Sequence, residues 1–295
     1  MLNLLSQIKS MRNFLFALLT ISIIASSCSQ EELTGDDQVA ASTQLNVAYG
    51  SDPAQKADIY LPANRSAAST KVIVMIHGGA WSAGDKADFN AFVDTLKRRM
   101  PTYAIININY RLAAGTSNLF PSQENDVKAL MDFIYSRRGE YRISDKFVLL
   151  GASAGAHLAL LQGYKYSSPV KVKAVVDFFG PANMVEMYNN PAPLAPPALI
   201  AGIVGGTPTT HADLYFQSSP VNFINAQSPL TIIFQGGVDP LVLPSQSEEV
   251  RNKLTTAGVV NQYVLYPTGG HGDWSAETFT DAFNKIQAFL TANVP

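Results

Sequence analysis

Gly151-Ala152-Ser153-Ala154-Gly155 constrains the fold more than any other stretch of this chain. The apolar run 146–150 before it reads as a buried strand, and 156–161, Ala-His-Leu-Ala-Leu-Leu, reads as a helix. A serine between two glycines at that junction sits on a strand-to-helix turn too tight for flanking Cβ atoms. Its hydroxyl is then held out of the sheet, at a helix N-terminus, on strained backbone. The pentapeptide is short enough to arise by chance, so its surroundings decide.

Those surroundings alternate between two periods. Strands are expected at 72–77, 103–109, 146–150, 172–178, 230–235 and 262–266. Helices are expected at 87–100, 122–138, after Ser153, at 245–257 and at 276–292. Val127, Leu130, Met131 and Ile134 make one apolar face on the second of these. Residues 43–49 and 56–61 flank Gly50-Ser51-Asp52-Pro53 and read as an antiparallel hairpin. The expectation is an α/β domain over 43–295: a mostly parallel sheet of about eight strands, helices on both faces, and an antiparallel N-terminal edge. A composition 47% hydrophobic and 15% charged suits one large core. Residues 181–219 interrupt the rhythm, and Pro191, Pro193, Pro196 and Pro197 oppose a long helix there. The segment is expected to be a small cap-like insertion above the strand ends, serving as a lid or substrate wall.

The first residues read as a targeting segment. Arg12 precedes an apolar stretch, 14–24, shorter than a membrane span of about 20 residues. Ala25-Ser26-Ser27-Cys28 follows and resembles a bacterial lipobox. Cys28 is the only cysteine, which excludes an intrachain disulfide and marks it as an acylation site. Ser29-Gln30-Glu31-Glu32 resembles the acidic export signal of Bacteroidetes surface lipoproteins. Residues 1–27 are therefore expected to be a signal, 28–42 a tether, and the cell envelope the destination. A secretory signal with a stray cysteine is the alternative, and Met11 competes with Met1 as the start. A net charge of −2 without a basic block argues against a nucleic-acid partner.

Three further pieces accompany Ser153. His77-Gly78-Gly79-Ala80-Trp81 follows the 72–77 strand, Asp239 follows 230–235, and His271 follows 262–266. Each stands at the C-terminal end of an expected strand, where open α/β sheets place their sites. Ser153 is the candidate nucleophile, His271 its general base and later acid, and Asp239 the group that fixes the imidazole. The N–H groups of Gly79, Ala80 and Ala154 are candidate oxyanion donors. Asp239 is preferred over Asp273 because it follows a separate strand. Trp81 walls the pocket or packs the core, and His157 reads as a structural residue. Asp85 and Lys86 are expected to pair locally, Asp126 to brace a loop, and Glu248 and Glu249 to face solvent. His211 is uninformative. Four histidines and one cysteine offer no metal spacing.

Ser, Asp, His is the chain order of the α/β-hydrolase superfamily, which this sequence resembles from 43 to 295. More narrowly it resembles esterases with an H-G-G-x-W oxyanion loop. These include hormone-sensitive-lipase-like esterases, the acetyl-xylan and feruloyl esterase group of Bacteroidetes, and kynurenine formamidase-like enzymes. Gly84-Asp85-Lys86 after the loop looks like the latter two groups. The first group usually carries a third glycine where Ala80 stands, and a large N-terminal cap; this chain has neither. Ala156 replaces another common glycine. The resemblance implies a serine hydrolase without metal or cofactor, acting on small carboxylic esters, with acetyl or feruloyl groups on glycans as candidates. An amidase, formamidase or peptidase on the same fold stays open, as does a non-catalytic binding module.

Overall fold

The computed structural model describes residues 39–295. The signal 1–27, Cys28 and the tether up to residue 38 lie outside the described residues. Val39–Pro295 forms one compact unit.

Eight strands make one sheet in the order β1-β2-β4-β3-β5-β6-β7-β8. They are β1 Ser42–Ala48, β2 Lys56–Leu61, β3 Val72–Ile76, β4 Ala104–Ile108, β5 Phe147–Ala152, β6 Ala174–Phe178, β7 Leu230–Gly236 and β8 Asn261–Tyr266. Only β2 runs against the others: it pairs antiparallel with β1 and with β4, and every other pair is parallel. Ser42 already pairs with Leu61, so the strand begins inside the expected tether.

Every residue of β3, β4 and β6 is buried. Strands covered on both faces read as continuous apolar runs for that reason. Alternate side chains feed two cores. Val74, Leu149, Val175 and Ile233 pack with the helices Ser122–Ser136, Ala154–Lys165 and Pro244–Thr256. Ile73, Val148, Val176 and Ile232 pack with Asn90–Arg99 and Ala276–Asn293. The apolar face of Ser122–Ser136 is fully buried, as its period requires. The insertion holds three short helices, Met184–Asn189, Pro197–Val204 and Ala212–Gln217. Pro197 is tolerated because it opens its helix.

From β3 the chain steps one way to β4, then crosses back to place β5 on the other side of β3. That reversal opens a crevice beyond the C-terminal ends of β3 and β5.

Candidate active site

Ser153 follows β5 at φ 53°, ψ −123°, heading the helix Ala154–Lys165. Such a conformation costs a non-glycine residue about 1–3 kcal/mol, so its surroundings have to impose it. They do so at backbone range. A Cβ on Gly155 would overlap the Ile76 carbonyl, and one on Gly151 would overlap Gly155 itself. The Ser153 N–H donates to the Phe178 carbonyl at 2.8 Å, tying the turn to β6. The half-buried hydroxyl makes no hydrogen bond among the described residues and faces a cavity of about 550 Å³.

His271, on the loop after β8, lines the same cavity. Its Nδ1–H donates to Asp239 Oδ2 at 2.7 Å, which leaves Nε2 as the free ring nitrogen. The Asp239 side chain is fully buried. Its other oxygen accepts the N–H groups of Leu241 (2.8 Å) and Val242 (2.9 Å), and Gln235 Nε2 donates to Oδ2 at 3.3 Å. A buried carboxylate needs such partners in place of the water it has lost. Asp273 takes no hydrogen bond from His271 among the described residues; the imidazole chooses Asp239.

The loop after β3 lines the cavity from the other side. Gly79, Ala80 and Trp81 take φ values of 109°, 50° and 59° in succession. The N–H groups of Gly79, Ala80 and Ala154 have no acceptor among the described residues, as an anion site requires. The His77 Nδ1–H donates to the Gly78 carbonyl at 2.7 Å. That carbonyl shares a peptide with the Gly79 N–H and so fixes its direction. The His77 ring stacks on Tyr110 at 4.4 Å, and burial lowers its pKa. Trp81 is 2% exposed yet contributes to the cavity wall, so it packs and lines at once.

The remaining walls are apolar. Phe179, Leu241 and Val242 come from strand-end loops; Met187, Ala195 and Leu199 come from the cap. The cap therefore touches the site. Phe179, at φ 45°, packs its ring 4.5 Å from that of His271. Its place in the site is not legible in sequence, because an apolar residue after a strand carries no chemical signature. Gln235 was legible in principle: an amide closing the apolar run 230–234 needs buried partners.

Other expectations fare unevenly. Lys86 does not pair with Asp85. It reaches Asp58 on β2 at 2.9 Å, both side chains nearly buried, while Asp85 caps the turn Lys86–Phe89 and accepts from Asn109 at 2.7 Å. Burial explains the exchange: a buried ammonium needs a desolvated partner, and Asp85 is exposed. Asp126 braces the loop after β4, accepting from Arg111 and from Gln55. Glu248 and Glu249 are half-buried, and Glu249 accepts from Asn183 in the cap at 2.9 Å, so that face is not simply solvated. Among the described residues the His211 ring makes one hydrogen bond, with the Thr210 hydroxyl, and it packs against Gly206.

Comparison with known proteins agrees with this architecture. The BD-FAE family model matches residues 57–254. The probable carboxylic ester hydrolase LipM of Mycobacterium tuberculosis is 27% identical over 207 residues, 66% of this chain and 47% of that protein. The dipeptidyl aminopeptidase BIII of Pseudoxanthomonas mexicana is 25% identical over 246 residues, 76% of this chain and 33% of that protein. This chain thus spans about half the length, or less, of these two curated relatives. Among solved structures, a truncated carbohydrate esterase from gut microbiota aligns with TM-score 0.74 at 28% identity, covering 88% of this chain and 98% of that one. The bifunctional GH43-CE protein of Bacteroides eggerthii aligns with TM-score 0.75 at 28% identity, covering 86% and 35%. The fold is that of the α/β-hydrolases, and with more than half its length matched by the family model the chain belongs to the BD-FAE family.

Proposed function

We propose that this chain is a serine hydrolase of small carboxylic esters, working through an acyl-enzyme on Ser153. The observation that carries this reading is convergence on one cavity. Ser153, on its strained turn, faces the same space as His271, whose Nδ1 is locked to Asp239 at 2.7 Å. His271 Nε2 takes the serine proton as Oγ attacks the ester carbonyl, then returns it to the departing alcohol. Asp239 stabilises the imidazolium formed in between. The N–H groups of Gly79, Ala80 and Ala154 receive the oxyanion, assisted by the helix N-terminus. Water then repeats the sequence on the acyl-enzyme. Ester hydrolase relatives support the reaction class. The test is hydrolysis of p-nitrophenyl esters and fluorophosphonate labelling. Turnover by Ser153→Ala near the wild-type rate would overturn the assignment, and failure of the folded wild type to label would favour a binding module.

For the substrate we propose acetyl, feruloyl or similar acyl groups, carried on glycans. Two carbohydrate-esterase neighbours at 28% identity support this. Release of acetate from acetylated xylan and of ferulate from methyl ferulate is the measurement. Similarity to a dipeptidyl aminopeptidase favours a second reading, amide cleavage, which a dipeptide p-nitroanilide and N-formylkynurenine would reveal. We further propose a lipid anchor at Cys28 in the bacterial envelope. Among the described residues no helix is long and apolar enough to cross a membrane. Loss of membrane partitioning in Cys28→Ser is the expected outcome.

A further inference from the structure

We infer that His157 is a positioning residue for the oxyanion loop, holding it in place through the indole of Trp81. The inference rests on the hydrolase reading above. His157 lies one helical turn beyond the nucleophile, and its own N–H donates to the Ser153 carbonyl at 3.0 Å. It is 1% exposed and takes no part in the triad. A buried imidazole that merely packed would need only its volume. This one is held at both nitrogens.

Nε2–H donates to the Ser218 carbonyl at 2.7 Å, which fixes the tautomer. Nδ1 is then an acceptor, and the Trp81 indole N–H donates to it at 3.1 Å, with the rings nearly perpendicular at 87°. Only the neutral ring makes both bonds, and burial keeps it neutral by pushing its pKa down to about 4.

The anchored residue is the one the loop needs anchored. Gly79, Ala80 and Trp81 are all left-handed in sequence, and two of them carry a Cβ. Such a run persists only when its surroundings hold it. Trp81 is held twice: its carbonyl accepts the Ala113 N–H at 2.9 Å, and its side chain is held by His157. The oxyanion donors at Gly79 and Ala80 immediately precede it. The other side of the imidazole leads to the cap, because Ser219, next to Ser218, accepts the Met184 N–H at 3.0 Å. One ring thus ties nucleophile helix, oxyanion loop and cap together.

The experiment compares His157→Leu, His157→Gln and Trp81→Phe in the full chain. The chain has two tryptophans, so an ¹⁵N spectrum shows two indole signals, and Trp81→Phe assigns them. In His157→Leu the Trp81 indole signal should move and that of Trp274 should not. On p-nitrophenyl acetate kcat should fall about 10- to 100-fold with KM nearly constant, since a misaimed donor weakens the transition state rather than the ground state. Glutamine can accept the indole N–H and donate to Ser218, so His157→Gln should recover most of kcat. The double variant His157→Leu/Trp81→Phe should be no slower than the worse single variant, the sign of a shared interaction. Should His157→Leu fail to fold, His157→Gln and Trp81→Phe still decide: the glutamine variant should keep most of kcat, and a loss there as large as in Trp81→Phe would overturn the inference. An unmoved indole signal, equal impairment of the leucine and glutamine variants, or additive losses would overturn the inference. A wild type inert toward esters and fluorophosphonate would instead remove the hydrolase reading on which it rests.

Discussion

Around Ser153 the chain is shaped by backbone. Ser153 and the run from Gly79 to Trp81 all take positive φ, and glycines stand where a Cβ would strike a neighbouring backbone carbonyl. Across the cavity the cap works differently. Met187, Ala195 and Leu199 reach the site as ordinary side chains on or beside short helices. One wall depends on main-chain placement, which tolerates almost no change of residue. The other depends on apolar volume, which many residues supply. The chemistry is therefore expected to be fixed by the strand-end loops, and the choice of substrate by the cap.

Changes on the strand-end side should have the largest effects. Ser153→Ala should lower ester turnover by about 10⁶-fold, with the fold intact by circular dichroism. Asp239→Asn should lower kcat by about 10⁴-fold, because the amide's NH₂ cannot accept the Nδ1–H and the wrong tautomer faces the serine. A loss of only a few-fold would mean that another group orients His271. Asp177 sits where the two regions join. It lies on β6, fully buried, its Oδ1 accepting the Gly180 N–H at 2.8 Å just before the cap. Burial raises its pKa from 3.8 to about 7. A carboxyl raised on folding stabilises below its unfolded pKa, and that stability is lost as pH rises through 7. Asp177→Asn should then melt higher than wild type at pH 8, and the gap should shrink by pH 5; a gap widening toward acid would refute the burial argument. The smallest effect belongs to the cap: Leu199→Ala should shift the butyrate-to-acetate ratio of kcat/KM by a few-fold, roughly 1 kcal/mol, leaving kcat on acetate unchanged. A large kcat loss there would erase the distinction between the regions.

The same contrast explains what could be read beforehand. That Ser153 and His271 line one cavity, with Asp239 bonded to the imidazole, was legible because each follows an apolar run and because glycine marks close approach. The alternation of periods placed the strands within a residue or two, since burial on both faces leaves little choice of composition. The pairing of Lys86 was not legible. Asp85 is adjacent in sequence, whereas Asp58 comes close only after β2 and β4 are paired. Phe179, Leu241 and Val242 escaped for a related reason: their task is shape, and shape has no residue signature. The cap's prolines forecast short helices, but nothing in 181–219 announced which side chains turn toward the serine.

The elbow at 153 carries a practical consequence. Its conformation is enforced by the neighbours of the serine, not by the hydroxyl itself. The socket should outlast its occupant: on the proposed reading, a chain with a methyl group there would bind an intact ester without cleaving it, so that the silenced protein becomes bait for retrieving its own natural substrate from a mixture.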